Sequence, residues 1–212
     1  MAQPPDSRRG AFIVFEGIDG SGLTTQARRL RDWCRRHRIP IHLTREPSRG
    51  WIGRKLRRLL RNGPGPLERD ERLVAFLFAA DRAEHLQREI VPLLAAGTHV
   101  VCDRYRLSSL AYQSVTLPPS WLETLNSPFP APDLTLLIRV PADVALSRVV
   151  SRGQPRERYE TAAVLERVSA RYGELCGEVQ ARGEATVMID GCGSKAEVGR
   201  SVLAAATPFL RP

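Results

Sequence analysis

Lysine is nearly missing from this chain: of 32 basic residues only Lys55 and Lys195 are lysines. The rest are arginines, spread along the sequence rather than gathered in one tail, and the net charge is +9. Such a balance suits an anionic ligand, but its even spread gives little support to a nucleic-acid surface, and no nucleic-acid partner is expected. No apolar run approaches the roughly 18 residues of a membrane-spanning helix, so no membrane partner is expected either. Residues 1–10 are polar and basic and lack the apolar stretch of a secretory signal. They read as a disordered leader on a cytoplasmic protein. Cys34, Cys102, Cys176 and Cys192 lie far apart, which excludes a metal-ligand pair and leaves free, mostly buried thiols. What is present is enough for one α/β domain over 1–212: 42% of the residues are hydrophobic and 26% charged, and the length supports a full core.

One further absence falls at a single position. Phe12 to Glu16 is an apolar, β-forming run; glycines follow, and then a segment with helical periodicity. Gly17, Gly22 and Thr24 have the spacing of the phosphate-binding loop G-x-x-x-x-G-K-[ST]. The lysine of that pattern, which reaches the β- and γ-phosphates, is here Leu23. The backbone N–H groups of a glycine-rich turn before a helix point at an anion. The expected phosphate-binding residues are therefore Gly17, Asp19, Gly20, Ser21, Gly22, Leu23, Thr24 and Thr25. Thr24 would place a hydroxyl on Mg²⁺. Asp103, at the end of a later strand, is the second candidate metal ligand, directly or through water.

Strands at Phe12–Glu16, Ile41–Thr44, His99–Asp103, Asp133–Val140 and Ala185–Asp190 alternate with helical segments. That alternation predicts a three-layer α/β/α fold around a five-stranded parallel sheet, with ligands outside the carboxyl ends of the strands. Three strand ends carry unusual chemistry: Gly17 to Thr24, Arg45-Glu46, and Asp103-Arg104. They should converge in one crevice. Residues 68–96 predict two helices, or one kinked near Pro92, closed by Gly97. Ser194 and Glu197 predict a capping box for the last helix. Arg54, Lys55, Arg57, Arg58 and Arg61 form the outer face of a helix that starts at Trp51, and a solvated face is the simpler reading of them. Ser151 to Tyr159 is poor in apolar residues and dense in arginine, as a mobile basic loop would be. Phe78 and Arg82, at i and i+4, share a helix face. They suit a flat, hydrogen-bonding ligand such as a base; taken alone, the pair reads as a core Phe beside a surface Arg.

Together the motifs carry a resemblance. Phe15-Glu16-Gly17-Ile18-Asp19-Gly20-Ser21-Gly22, Thr44-Arg45-Glu46-Pro47, Leu77-Phe78-Ala79-Ala80-Asp81-Arg82 and Asp103-Arg104-Tyr105 resemble the thymidylate kinase family. So do Ser108-Ser109, Ala111-Tyr112-Gln113 and Pro132-Asp133-Leu134, in the family's order and spacing from about Phe12 to about Leu210. The resemblance implies a P-loop fold, Mg²⁺, and transfer of the ATP γ-phosphoryl group to dTMP. It implies that Phe78 stacks on thymine, that Arg82 bonds the base edge, and that Arg45 and Arg104 hold the dTMP phosphate. Asp19 would lie near the sugar 3′-hydroxyl. Ser108, Ser109, Tyr112 and Gln113 would line the base and sugar pocket, with Tyr112 disfavouring a ribose 2′-hydroxyl. Residues 148–160 would be a mobile lid over ATP containing Arg148, Arg152, Arg156 and Arg158. Because positions 18–21 of the loop hold no arginine, the catalytic arginine would come from that lid: Arg152 or Arg158, with Arg156 in reserve. The family is usually a homodimer formed through helices, and the apolar faces near Leu56 and Phe76 are the candidates.

Leu23 leaves alternatives open. A lid arginine fills the space and the protein is a slow kinase; or the fold binds nucleotide without useful catalysis; or the acceptor is another nucleotide or nucleoside. Residues 114–132 agree least with the family pattern.

Overall fold

The computed structural model describes residues 9–62, 70–151 and 161–211. Five strands, β1 (Phe12–Glu16), β2 (Ile41–Arg45), β3 (His99–Asp103), β4 (Leu134–Arg139) and β5 (Thr186–Asp190), form one parallel sheet in the order β2-β3-β1-β4-β5. The chain leaves β1 to one side for β2 and β3 and to the other for β4 and β5. The carboxyl end of β1 is thus a topological switch point, where open α/β sheets bind ligands. The register aligns the three strand ends named above: Phe15 and Arg45 both pair with Asp103, and Glu16 pairs with Leu137.

Alternate residues of the buried central strand serve opposite layers, as the period of two requires. Ile13 and Phe15 pack with α1 (Leu23–Arg36) and the last helix. Phe12 and Val14 pack against Leu86, Ile90 and Leu94. The remaining helices are α2 (Trp51–Asn62), α3 (Glu71–His85), α4 (Val91–Ala95), α5 (Arg106–Gln113), α6 (Pro119–Asn126), α7 (Ala142–Val150), α8 (Ala162–Ala181) and α9 (Lys195–Ala206). The capping box of α9 is formed, with Ser194 and Glu197 exchanging hydrogen bonds. The helical run over 71–95 is continuous around Pro92. A π-helical turn over Leu86–Ile90 joins α3 to α4, and Pro92 sits in the first turn of α4. A proline removes one N–H and crowds the carbonyl four residues back, and widening the turn before it relieves both.

Arg9 and Gly10, read as leader, are tied to the fold. Arg9 pairs with Asp133 at 2.5 Å, and the Gly10 N–H donates to Leu94 O at 2.8 Å. Leu56, read as part of a candidate dimer face, is fully buried. Among the described residues no helix is long and apolar enough to cross a membrane.

The four cysteines are free; Cys34, Cys102 and Cys176 are buried and Cys192 is exposed. Burial pushes the Cys34 thiol up to about 11 and the Cys102 and Cys176 thiols up as well. A thiolate-seeking reagent at pH 8 is therefore expected to label one thiol in the native protein and four after unfolding. Rapid labelling of two or more in the native state would contradict this burial.

Candidate active site

The loop after β1 turns because glycines let it. Gly20 and Gly22 adopt φ of 88° and 99°, in the left-handed region. A Cβ on Gly20 would also strike the backbone of Ala145, so the loop leans directly on α7. Gly22 caps α1, and Leu23 is its first residue. The Leu23 side chain is 5% exposed and belongs to the core shared by β1, β4, α1 and α9. It closes the floor beneath the loop rather than reaching over it. One residue on, the Thr24 hydroxyl donates to Asp103 Oδ2 at 2.5 Å. Those two oxygens are hard donors of the kind Mg²⁺ takes, and Mg²⁺ commonly uses only one or two protein oxygens alongside phosphates and water. Among the described residues no group of three or more His, Cys, Asp or Glu could hold a metal.

A cleft of about 560 Å³ opens beside this loop, at the carboxyl ends of the strands. It is lined by Asp19, Gly20 and Gly22 to Thr25 from the loop side, by Arg45 and Glu46 after β2, by Asp103 and Arg104 after β3, and by Phe78, Arg82, Ser108, Ser109, Tyr112 and Gln113 from α3 and α5. The crevice expected from the strand ends is thus present. Gly17 and Ser21 complete the loop outside that lining. Arg152, Arg156 and Arg158 lie outside the described residues. Arg148, at the end of α7, donates to Gly191 O at 3.1 Å and to Gly20 O at 3.5 Å.

Asp103-Arg104 is a strained corner. Arg104 has φ 75°, unusual for a residue with a side chain. Its amide donates to Phe15 O at 2.9 Å, and its guanidinium donates to Gly17 O at 2.8 Å, Ser108 Oγ at 3.3 Å and Asp19 Oδ1 at 2.6 Å. Burial works against the Arg104 charge, but Asp19 leads the groups that hold the guanidinium well above its usual range. Asp19 also accepts from the Tyr112 hydroxyl at 2.9 Å. Burial holds that hydroxyl well above the ordinary tyrosine value, so it remains a donor.

Beneath this corner lies Glu16, which the residue pattern marks only as the charged end of an apolar strand. It is fully buried and accepts from the amides of Tyr105 (3.0 Å) and Ser108 (3.2 Å), from Ser108 Oγ (2.6 Å) and from Tyr172 (2.9 Å). Burial raises its pKa. Glu16 is the post on which the Arg104 turn and α5 are hung.

The base-side wall reverses one expectation. Phe78 is half-buried and lines the cleft, whereas Arg82 is only 1% exposed. The Arg82 guanidinium donates to Glu46 from Nε (2.9 Å), pairs with it through NH2 (2.7 Å), and also donates to Asn126 Oδ1 and to Ser109 Oγ (3.1 Å). It lies over the Tyr105 and Phe129 rings. A charge can be buried this deeply only because nearly every donor is used. In the sequence Glu46 stands out only as part of Thr44-Arg45-Glu46-Pro47, and Asn126 sits in the stretch of α6 that agrees least with the family pattern. Among the described residues, one buried side-chain atom of the cleft wall has no partner: Gln113 Oε1.

A parallel sheet with a glycine phosphate loop at its switch point, opening on a cation-rich cleft, defines a P-loop nucleotide-binding fold. The family model described as "Thymidylate kinase" matches residues 15–201. The chain belongs to the thymidylate kinase family. A "Probable thymidylate kinase" of Pyrococcus abyssi is 42% identical over 170 residues, covering 79% of this chain and 83% of that one. A "Thymidylate kinase" of Carboxydothermus hydrogenoformans is 38% identical over 181 residues, covering 82% and 88%. Another from Leptospira borgpetersenii is 37% identical over 195 residues, covering 91% of each.

Proposed function

We propose that this protein is an ATP-dependent thymidylate kinase, slowed by Leu23. An oxygen of the dTMP phosphate attacks the γ-phosphorus of ATP, the bond to the β–γ bridging oxygen breaks, and dTDP and ADP leave. The observation that carries this reading is one cleft lined both by the phosphate loop with the Thr24–Asp103 pair and by Phe78 with Gln113.

The chemistry is chiefly positioning and charge neutralisation. The loop amides from Gly17 to Thr25 receive the ATP phosphates. Thr24 and Asp103 would hold Mg²⁺, which when bound neutralises phosphate charge. Arg45 and Arg104 take the acceptor phosphate; Arg104 keeps Nε and one NH2 hydrogen free for it. Phe78 gives the thymine ring a stacking face. The unpaired Gln113 Oε1 suits a base N–H, since an unsatisfied buried acceptor gains most from a donor. Arg82 shapes the base wall through Glu46, Asn126 and Ser109 and keeps one NH1 hydrogen for the base edge. Asp19, fixed by Arg104 and Tyr112, faces the sugar 3′-hydroxyl, and Tyr112 crowds a 2′-hydroxyl. Residues 148–160 act as the lid, with Arg152 and Arg158 as catalytic cations, Arg156 in reserve, and water excluded on closure.

The protein works in the cytoplasm as a homodimer. The exposed apolar residues Leu73 and Phe76 of α3, with the Phe76 ring edge-on to Trp121 at 5.4 Å, support that contact. The reading is tested with a panel of acceptors at fixed ATP and Mg²⁺. The expected order is dTMP first, with thymidine inert and UMP poor because of its 2′-hydroxyl. A chain that prefers UMP or thymidine to dTMP is not a thymidylate kinase.

A further inference from the structure

Five described arginines line the cleft: Arg28, Arg45, Arg57, Arg82 and Arg104. Three are committed. Arg82 is held by Glu46 and Arg104 by Asp19. Arg57 donates to the carbonyls of Pro47 and Ser48, and burial, then the neighbouring Arg45, pushes its pKa down. Arg28 and Arg45 remain, and neither side chain makes a hydrogen bond or ion pair with any described residue. The resemblance gives Arg45 to the acceptor phosphate. It gives Arg28 nothing.

Arg28 stands four residues after Thr24 on α1, so the two share one helix face. Helical side chains lean toward the helix N-terminus and cover the preceding turn. The turn that Arg28 covers is the one carrying Thr24, whose hydroxyl meets Asp103. The rise over four residues is about 6 Å, which an extended arginine spans. The side chain is solvent-exposed, which leaves it free to fold back over the loop. Leu23, meanwhile, is packed downward into the core.

We propose that Arg28 is a phosphate-contacting residue, supplying from the second turn of α1 the cation that Leu23 omits from the first. Its ligand is the polyphosphate of the bound nucleoside triphosphate. Compensation is partial, because a guanidinium arriving on a long, exposed stem is less fixed than a lysine seated at the loop itself. This inference rests on the kinase reading for its rate effects but not for its binding effects.

The test combines Arg28→Met, Arg28→Lys and Leu23→Lys, singly and as a double-mutant cycle. Arg28→Met is expected to weaken Mg–ATP binding about tenfold by calorimetry and to lower kcat about thirtyfold, with no change in melting temperature. Arg28→Lys should recover most of both. With Leu23→Lys present, Arg28→Met should cost less than threefold in kcat, because the lysine has taken over the contact. The proposal is overturned if Arg28→Met leaves both Mg–ATP affinity and kcat within twofold of native. It is equally overturned if the loss is the same with and without Leu23→Lys, which would mark a structural role. Should the native chain show no dTMP turnover, the kinase reading fails, and the calorimetric loss alone decides the role of Arg28.

Discussion

Leu23→Lys is expected to raise dTMP-dependent kcat about tenfold in the otherwise native chain, and about 100- to 300-fold in an Arg28→Met background. The larger figure is the worth of one aimed donor at developing transition-state charge, about 3 kcal/mol. The smaller one, about 1.4 kcal/mol, is what remains to be gained when Arg28 already supplies part of it. KM for dTMP should hardly move, since the acceptor groups Phe78, Gln113 and Arg45 are untouched. The gain has a structural cost. Leu23 fills core space between β1 and α9, and a lysine that lifts its head into the cleft abandons part of that packing. A loss of about 1–3 kcal/mol in unfolding free energy is expected by analogy with partial removal of a buried leucine. Higher rate with lower stability is therefore the signature to look for in paired kinetic and urea-unfolding measurements. Unchanged kcat in both backgrounds would show that the missing lysine does not limit this enzyme.

Arg82→Met is expected to damage the fold more than any other single change in the cleft. It leaves Glu46 buried with no full counter-charge and strips a donor from Asn126 and another from Ser109. Breaking a buried pair in this way costs about 3–5 kcal/mol, a fall in melting temperature of roughly 10 °C for a chain of this size. His85 Nδ1 lies 3.4 Å from Glu46 and offers the carboxylate only a second, longer contact. Arg82→Lys should not rescue the loss, because one ammonium cannot serve Glu46, Asn126 and Ser109 together. A loss below about 1 kcal/mol would mean that these bonds do not hold the base-side wall.

The fold was largely legible because its signals are local. Apolar runs alternating with amphipathic helices specify a parallel sheet, and the rule that ligands sit at strand carboxyl ends placed Gly17 to Thr24, Arg45 and Asp103-Arg104 in one crevice. Caps such as Ser194 with Glu197 are legible for the same reason. The misread features depend on partners distant in sequence. Arg82 at i+4 from Phe78 looks like a surface residue until Glu46, Asn126 and Ser109 are brought around it. Glu16 looks like a strand end, and only the return of α5 and α8 turns it into a buried acceptor of four hydrogen bonds. Leu23 is legible as a missing cation but not as a core residue. Arg28 carries no motif at all, and only its position over Thr24 singles it out.

The central claim is that the native chain, with Leu23 in place, still transfers phosphoryl groups. Its most direct test is the steady-state release of ADP by purified native protein given ATP, Mg²⁺ and dTMP. ADP release that requires dTMP, matches dTDP formed mole for mole and stops on chelation of the metal is the predicted result. ATP that binds by calorimetry while no dTMP-dependent ADP appears would contradict it.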